Sequence, residues 1–332
     1  MELRNKFLRW SVLLSSLLIA QLAVGQVSYD RILNSKDEPQ NWLTYNGGYM
    51  SQRHSLLQQI DRENVDQLEL KWVLQNQVFG AWQSNPIIVD GIMYVTERPN
   101  SVMAVDAVTG RVFWKYRHQN ADNALVCCGA NNRGVAVLND KVYMGTLDAH
   151  LIALDRINGQ VLWKAEVGDV NRAYSVTMAP LAVKDKIMVG VGGGEFGIRG
   201  YVAAFDAETG EQAWKTYTIP APGEPNHDSW EGDDWEHGGA PVWITGSFDP
   251  DLNLTYWGVG NPGPDWNAGQ RPGDNLYSDS AIALDADTGE LKWHFQFTPN
   301  DAYDYDSVQV PVLADVEWRG ESKKIMMWAN RN

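Results

Sequence analysis

Four short stretches of the chain carry side chains able to do chemistry. They are Cys127 and Cys128 with Asn131, Asn132 and Arg133 close behind, the glycine run 192–194 ending on Glu195, Asn261 in a Gly/Pro-rich turn, and Asp301, Asp304 and Asp306. Glu195, Asn261, Asp304 and Asp306 offer hard oxygen ligands without a His or Cys among them, the donor set of calcium or a similar hard ion. Asp304 and Asp306 share one face if their stretch is extended. The chain has 2 cysteines, and they are adjacent. They can close on each other in a small ring, pair with other molecules, or stay as thiols in a core strand. A ring so small removes almost no chain entropy, so its use would be local shape. No His-x-x-x-His, haem-attachment, nucleophile-elbow or phosphate-loop motif accompanies these stretches.

Something must bring them together, and an internal repeat supplies it. Asp106, Thr109, Gly110 and Trp114 recur as Asp155, Asn158, Gly159 and Trp163, as Asp206, Thr209, Gly210 and Trp214, and as Asp285, Thr288, Gly289 and Trp293. A worn copy ends at Trp72. Each copy is led by a β-branched or aromatic strand after a turn, at 92–95, 141–144, 186–189 and 254–257. Alternation with Gly or Asn at the turns indicates antiparallel β-structure. A period near 50 residues with three or four strands per unit suits a β-propeller blade. The 15 Trp residues then make sense, because a large apolar ring docked between blades replaces the core that one sheet cannot build. Segment 220–269 reads as a long functional insertion between the third and fourth copies. The four chemical stretches lie outside the repeated positions, where one end of each blade faces the ring axis.

Composition narrows the function. With 42 acidic against 27 basic residues and a formal charge of −15 over 332 residues, the chain repels phosphate backbones, which excludes a nucleic-acid partner. Residues 1–25 read as an export signal: Arg4, Lys6 and Arg9, an apolar run, then Ala23 and Gly25 at the positions a signal peptidase reads. The apolar run is too short and too interrupted to span a bilayer. A periplasmic location follows as the expectation, with 26–332 as one partial propeller domain whose last blade strand begins at 325.

Together these stretches resemble the quinoprotein alcohol dehydrogenases of the methanol and ethanol dehydrogenase family, over essentially the whole mature chain. The resemblance implies an all-β, eight-bladed propeller with tryptophan-docking repeats, of which this chain is roughly the first half. It implies pyrroloquinoline quinone (PQQ) and one Ca2+ or lanthanide ion on the axis. By motif, Cys127 and Cys128 match the family's vicinal disulfide on one face of the quinone, and Trp243 matches the indole on the other. Glu195, Asn261 and Asp304 match metal ligands, with Asp304 also the base that takes the substrate hydroxyl proton. Asp306 matches the extra acid of lanthanide-dependent members, where a trivalent ion is better served by one more carboxylate. Arg133 matches the partner of a PQQ carboxylate, and Arg331 the Arg beside the quinone oxygens. Thr177, Gly192, Gly193 and Gly194 fall where the family hydrogen-bonds the cofactor. Two positions depart from the pattern: Gly192 stands for a Ser, and Gln83 for a Glu that contacts PQQ.

The implied activity is oxidation of a small primary alcohol, with electrons passing to a cytochrome c, and a homodimer is compatible with it. Two other readings stand beside it. One is a periplasmic propeller scaffold of the outer-membrane assembly type, against which count the missing lipobox cysteine and the four chemical stretches. The other is a PQQ sugar or aldehyde dehydrogenase, whose large membrane-bound members begin with several spanning helices.

Overall fold

The computed structural model describes residues 25–76 and 78–331; the expected export signal, except Gly25, lies outside them. After a short helix α1 (Tyr29–Leu33), the chain builds four antiparallel sheets of four strands in sequence order. The first holds β1 (Ile87–Val89), β2 (Ile92–Glu97), β3 (Ser101–Asp106) and β4 (Val112–Arg117). The second holds β5 (Ala136–Leu138), β6 (Lys141–Gly145), β7 (His150–Asp155) and β8 (Val161–Glu166). The third holds β9 (Leu181–Val183), β10 (Lys186–Gly190), β11 (Tyr201–Asp206) and β12 (Gln212–Tyr217), and the fourth β13 (Ser247–Asp249), β14 (Leu254–Gly258), β15 (Ser280–Asp285) and β16 (Leu291–Gln296). A hairpin of β17 (Val312–Trp318) and β18 (Glu321–Met327) follows. These are four propeller blades and the start of a fifth. The second strands coincide with the strands expected from the sequence, and each blade adds a three-residue inner strand.

The repeat motif has a separate physical reason at each position. The Asp closing the third strand accepts backbone N–H bonds from the residues two and three further on: Asp106 from Val108 (2.8 Å) and Thr109 (3.1 Å), Asp206 from Glu208 (2.9 Å) and Thr209 (2.8 Å). That is an Asx-type turn. The glycine after it has φ of 72–76° in all four copies, where a side chain is strained. It is also pressed flat against a ring from the preceding segment. A Cβ on Gly110, Gly159, Gly210 or Gly289 would meet Trp72, Trp114, Trp163 or Trp214 at 2.5–2.7 Å. Each indole N–H donates to the residue just after the next Asp, at Ala107 (3.2 Å), Arg156 (3.1 Å), Ala207 (3.2 Å) and Ala286 (3.3 Å). The Ala two residues before each Asp pairs across the ladder with its own blade's Trp, and a bulge follows it in all four blades. A small residue is needed opposite so large a ring.

Two expectations change. The worn copy keeps its Trp, which docks as the others do, yet the described residues of 51–86 form no strand. Segment 220–269 is not one insertion, because β13 and β14 lie inside it. The excess chain is split between the β12–β13 and β14–β15 connections.

Strand direction sorts the chain onto two faces. In every blade the first and third strands start, and the second and fourth end, on the same face. The Asp-to-Gly turns lie on the other. All four chemical stretches lie in connections on the first face, so the topology alone gathers them. Among the described residues no helix is long and apolar enough to cross a membrane.

Candidate active site

On that face a cavity of about 430 Å3 opens at the hub. It is lined by Gln83, Cys127, Cys128, Arg133, Thr177, Gly192, Gly193, Glu195, Trp243, Asp304, Asp306 and Arg331. Main-chain bonds between the segments leading into consecutive inner strands hold it together: Asn85 N to Arg133 O (2.9 Å), then Arg133 N to Thr177 O (3.1 Å). Cys127 and Cys128 are joined by a disulfide. The Asn131 amide donates to the Cys128 carbonyl (3.1 Å), while its own buried oxygen has no partner. Across the cavity Trp243 donates its indole N–H to Asp306 Oδ1 (3.2 Å). The Arg133 guanidinium lies over the indole ring at 4.7 Å and bonds Thr177 Oγ1 at 2.8 Å.

Two site residues stand behind the wall rather than in it. Asn261 is buried; its backbone N–H donates to Asp306 Oδ1 (3.2 Å) and its amide nitrogen to Asp265 (2.7 Å). That leaves the amide oxygen as the atom with which Asn261 could meet a cation. Gly194 opens the short 3-10 turn that carries Glu195, and a Cβ there would press on Pro241 at 3.0 Å. Its service is close backbone approach. The 304–306 stretch is not extended: Asp304 (φ 58°) and Asp306 (φ 57°) both take the left-handed conformation, which Asp tolerates better than most residues. The two carboxylates therefore reach the cavity by local turning rather than by strand alternation.

Electrostatics mark the site as one short of positive charge. Burial, then the Asp304 charge, pushes the Asp306 pKa up to about 7. Desolvation together with Asp265 raises Glu195 and Asp304 as well. Arg331 eases Asp304 only in part, and its guanidinium donates to the Asp304 and Tyr305 carbonyls (2.9 and 3.1 Å) rather than to a carboxylate. Behind them Asp279 is fully buried and neither carboxylate oxygen finds an aligned donor; burial, then Asp301 and Asp306, lifts its pKa to about 8. Like-charged oxygens crowded this way have the donor chemistry that a bound cation would answer. Sequence reasoning did not reach Ser175, Ile244 or Asp279, each a single residue in no motif, and gave Asn131 no role of its own. Ser175 bears on the Gly192 departure, because a Cβ on Gly192 would meet Ser175 Oγ at 3.0 Å. A hydroxyl is thus already present where a seryl side chain at 192 would begin.

Tryptophan-docked blades around a hub that pairs a disulfide with an indole and a ring of acids define a propeller built to hold a flat ligand and a cation. The chain belongs to the PQQ-type glucose/ethanol/alcohol dehydrogenase β-propeller family, whose model matches residues 42–332. It is 42% identical over 324 residues to the quinohemoprotein alcohol dehydrogenase ADH-IIG of Pseudomonas putida, covering 91% of this chain and 44% of that relative. It is 39% identical to the quinoprotein alcohol dehydrogenase PedH of Pseudomonas putida, covering 97% of this chain and 57% of that one. A solved europium-containing methanol dehydrogenase superposes with a TM-score of 0.86 at 37% identity, over 91% of this chain and 57% of that one. The chain thus spans about half the length of the curated relatives it matches.

Proposed function

We propose that this chain is the first half of an eight-bladed, periplasmic, PQQ-dependent alcohol dehydrogenase that oxidises small primary alcohols and passes electrons to a cytochrome c. One observation carries the reading: a single hub cavity gathers the disulfide, Trp243, Arg133 and the acids Glu195, Asp304 and Asp306 from two separate connections. The residues fit both groups. The disulfide and Trp243 offer two apolar walls for a flat ring, and Arg133, Gln83, Thr177 and the 192–193 backbone offer polar contacts for its carboxylates and carbonyls. Glu195, the Asn261 oxygen, Asp304 and Asp306 would hold the cation, and the fourth oxygen donor favours a trivalent lanthanide over Ca2+. When bound, PQQ supplies the hydride acceptor and the ion a Lewis acid beside it.

The chain's own residues do the rest. Asp304 takes the alcohol hydroxyl proton on its carboxylate, and its raised pKa makes it the better base once ionised. Arg331 fixes the 304–305 backbone and so aims that carboxylate. A vicinal disulfide and the export-like residues 1–25 both agree with an oxidising compartment. The names of the relatives favour this reading over the scaffold alternative.

The test is reconstitution of the full-length protein with PQQ and either Ca2+ or La3+, followed by alcohol oxidation with an artificial electron acceptor. Turnover that needs both additions is expected and is greater with La3+. Turnover on aldoses but not alcohols, or none with any ion, would remove the reading.

A further inference from the structure

A second group of metal-ligating side chains lies on the same face but away from the hub, between the first two blades. His118 follows β4 directly, Asp148 sits in the β6–β7 turn, and His150 opens β7. One ligand atom from each lies within 4.8 Å of the other two. His118 Nε2 is 2.9 and 3.0 Å from the two Asp148 oxygens. His150 Nδ1 is 3.4 Å from Asp148 Oδ1, without the alignment of a hydrogen bond, and this buried nitrogen has no other partner. We infer that His118, Asp148 and His150 form a second cation site, for a borderline divalent transition metal of the Zn2+ type, that ties the first blade to the second.

The spacing agrees with a shared ion. With Zn–N and Zn–O bonds of about 2.1 Å, neighbouring ligand atoms stand about 3.0 Å apart in an octahedron and about 3.4 Å apart in a tetrahedron. The 3.4 Å between His150 Nδ1 and Asp148 Oδ1 is the tetrahedral edge, whereas the 2.9 Å between His118 Nε2 and Asp148 Oδ1 is a hydrogen bond that would have to open by about 0.5 Å to admit the ion. The carboxylate is also built to stay put. Thr146 Oγ1 donates to Asp148 Oδ1 (2.6 Å) and the Ala121 N–H to Oδ2 (3.1 Å), as outer partners of a metal ligand commonly do. Thr146 Oγ1 in turn accepts the His150 N–H (2.9 Å), which fixes the backbone that carries that imidazole. Asp148 holds its charge: burial pushes its pKa up, and the His118, His150 and Thr146 contacts more than reverse that. The His118 and Asp148 side chains are 7% and 4% exposed while His150 is 23% exposed, so two ligands are enclosed and the third leaves a path to solvent. Three protein ligands with one open side accept a water as the fourth. Two imidazoles and one carboxylate select Zn2+, Co2+, Ni2+ or Cu2+, whereas the all-oxygen acids of the hub select hard ions. The two sites are therefore chemically separate.

The test uses the full-length protein stripped by chelator, dialysed against Zn2+ and analysed for bound metal, with Co2+ as a spectroscopic probe. One Zn2+ per chain is expected, together with the visible absorption of Co2+ bound through imidazole. His150→Ala, at the most exposed of the three ligands, should weaken Zn2+ binding at least tenfold and abolish the Co2+ bands, with its metal-free thermal melt unchanged. Glu195→Gln, which alters only the hub, should keep the Zn2+. Equal Zn2+ binding by wild type and His150→Ala, or loss of the Zn2+ in Glu195→Gln, would overturn the site.

Discussion

The two faces of the disc treat their acids in opposite ways. On the turn face, Asp106, Asp206 and Asp285 are held below the usual carboxylate range, with backbone N–H groups of their own turns among the causes. Each of these three acids is answered within three residues of chain. On the hub face, Glu195, Asp279, Asp304 and Asp306 are all raised, because desolvation and neighbouring acid charge outweigh the few donors the chain offers them. The first arrangement is what stability selects and the second is what a ligand site tolerates. Substitutions on the two faces should therefore separate cleanly into loss of fold and loss of chemistry.

The largest separation belongs to Asp304→Asn. In the reconstituted full-length protein it should lower alcohol turnover by about 10²–10⁴-fold, the usual weight of a general base. The bound-cofactor spectrum and the melting temperature should stay near wild type. Wild-type turnover would show that the proton goes elsewhere. Next comes Gly159→Ala on the opposite face. Its Cβ would strike the Trp114 ring at 2.5 Å from a backbone with φ of 72°. A loss of about 2–3 kcal/mol in urea unfolding is expected, with no change in the KM for alcohol. An unchanged midpoint would mean that the docking of blade on blade is soft.

These two sites also show what the sequence makes legible. Gly159 and Trp114 belong to a motif because the turn and the docked ring impose fixed spacings, and a spacing can be read without coordinates. The inner strands β1, β5, β9 and β13 cannot be read this way. Each has three residues, and those of β5, β9 and β13 are all buried, so neither period nor alternation shows. Within 220–269 the strand at 254–257 is legible, but Ser247–Asp249 alone gives no strand signal, so the break it makes in the long connection cannot be read. Among site residues, Glu195 and Asp304 sit in unusual local contexts that draw notice. Asp279 and Ser175 are ordinary residues made special by burial, and His118 lies 30 residues from Asp148. Burial and long-range convergence are properties of the fold, and no local window contains them.

Asp279 gives the comparison a pH signature in the metal-free protein. Its pKa is about 8 when folded, against about 4 in the unfolded chain. The sign follows from linkage. A group whose folded pKa is raised contributes stability fully below its unfolded value, and that contribution is lost as pH rises through the folded one. Wild type should therefore lose stability between about pH 4 and pH 8, whereas Asp279→Asn has no proton to lose there. The variant should be more stable than wild type by several kcal/mol at pH 8, up to about 5 kcal/mol for a pKa raised from about 4 to about 8, and indistinguishable at pH 4. Urea unfolding at the two pH values measures the gap, and a gap that does not depend on pH would show that Asp279 is not carrying a strained charge.

The smallest effect lies at the cavity wall, where Gly192 departs from its family's Ser. The 175 and 192 backbones are bonded in both directions (3.2 and 2.8 Å), so neither can retreat, and the new Cβ would sit 3.0 Å from Ser175 Oγ. Gly192→Ser should cost up to about 1 kcal/mol of stability, because one hydroxyl can rotate away from a contact this mild. Ser175→Ala should relieve it. If the two hydroxyls compete for one place, the double variant is more stable than the sum of the single changes predicts, with a coupling of about 0.5–1 kcal/mol. Additive changes would mean that Ser175 does not stand in for the missing seryl, and that the hub meets its ligand with one polar contact fewer than its family's pattern. The same cycle repeated on the PQQ-loaded full-length protein tells which hydroxyl the cofactor uses. Affinity lost in Ser175→Ala and regained with Ser at 192 would assign that contact to the 175–192 pair rather than to either residue alone.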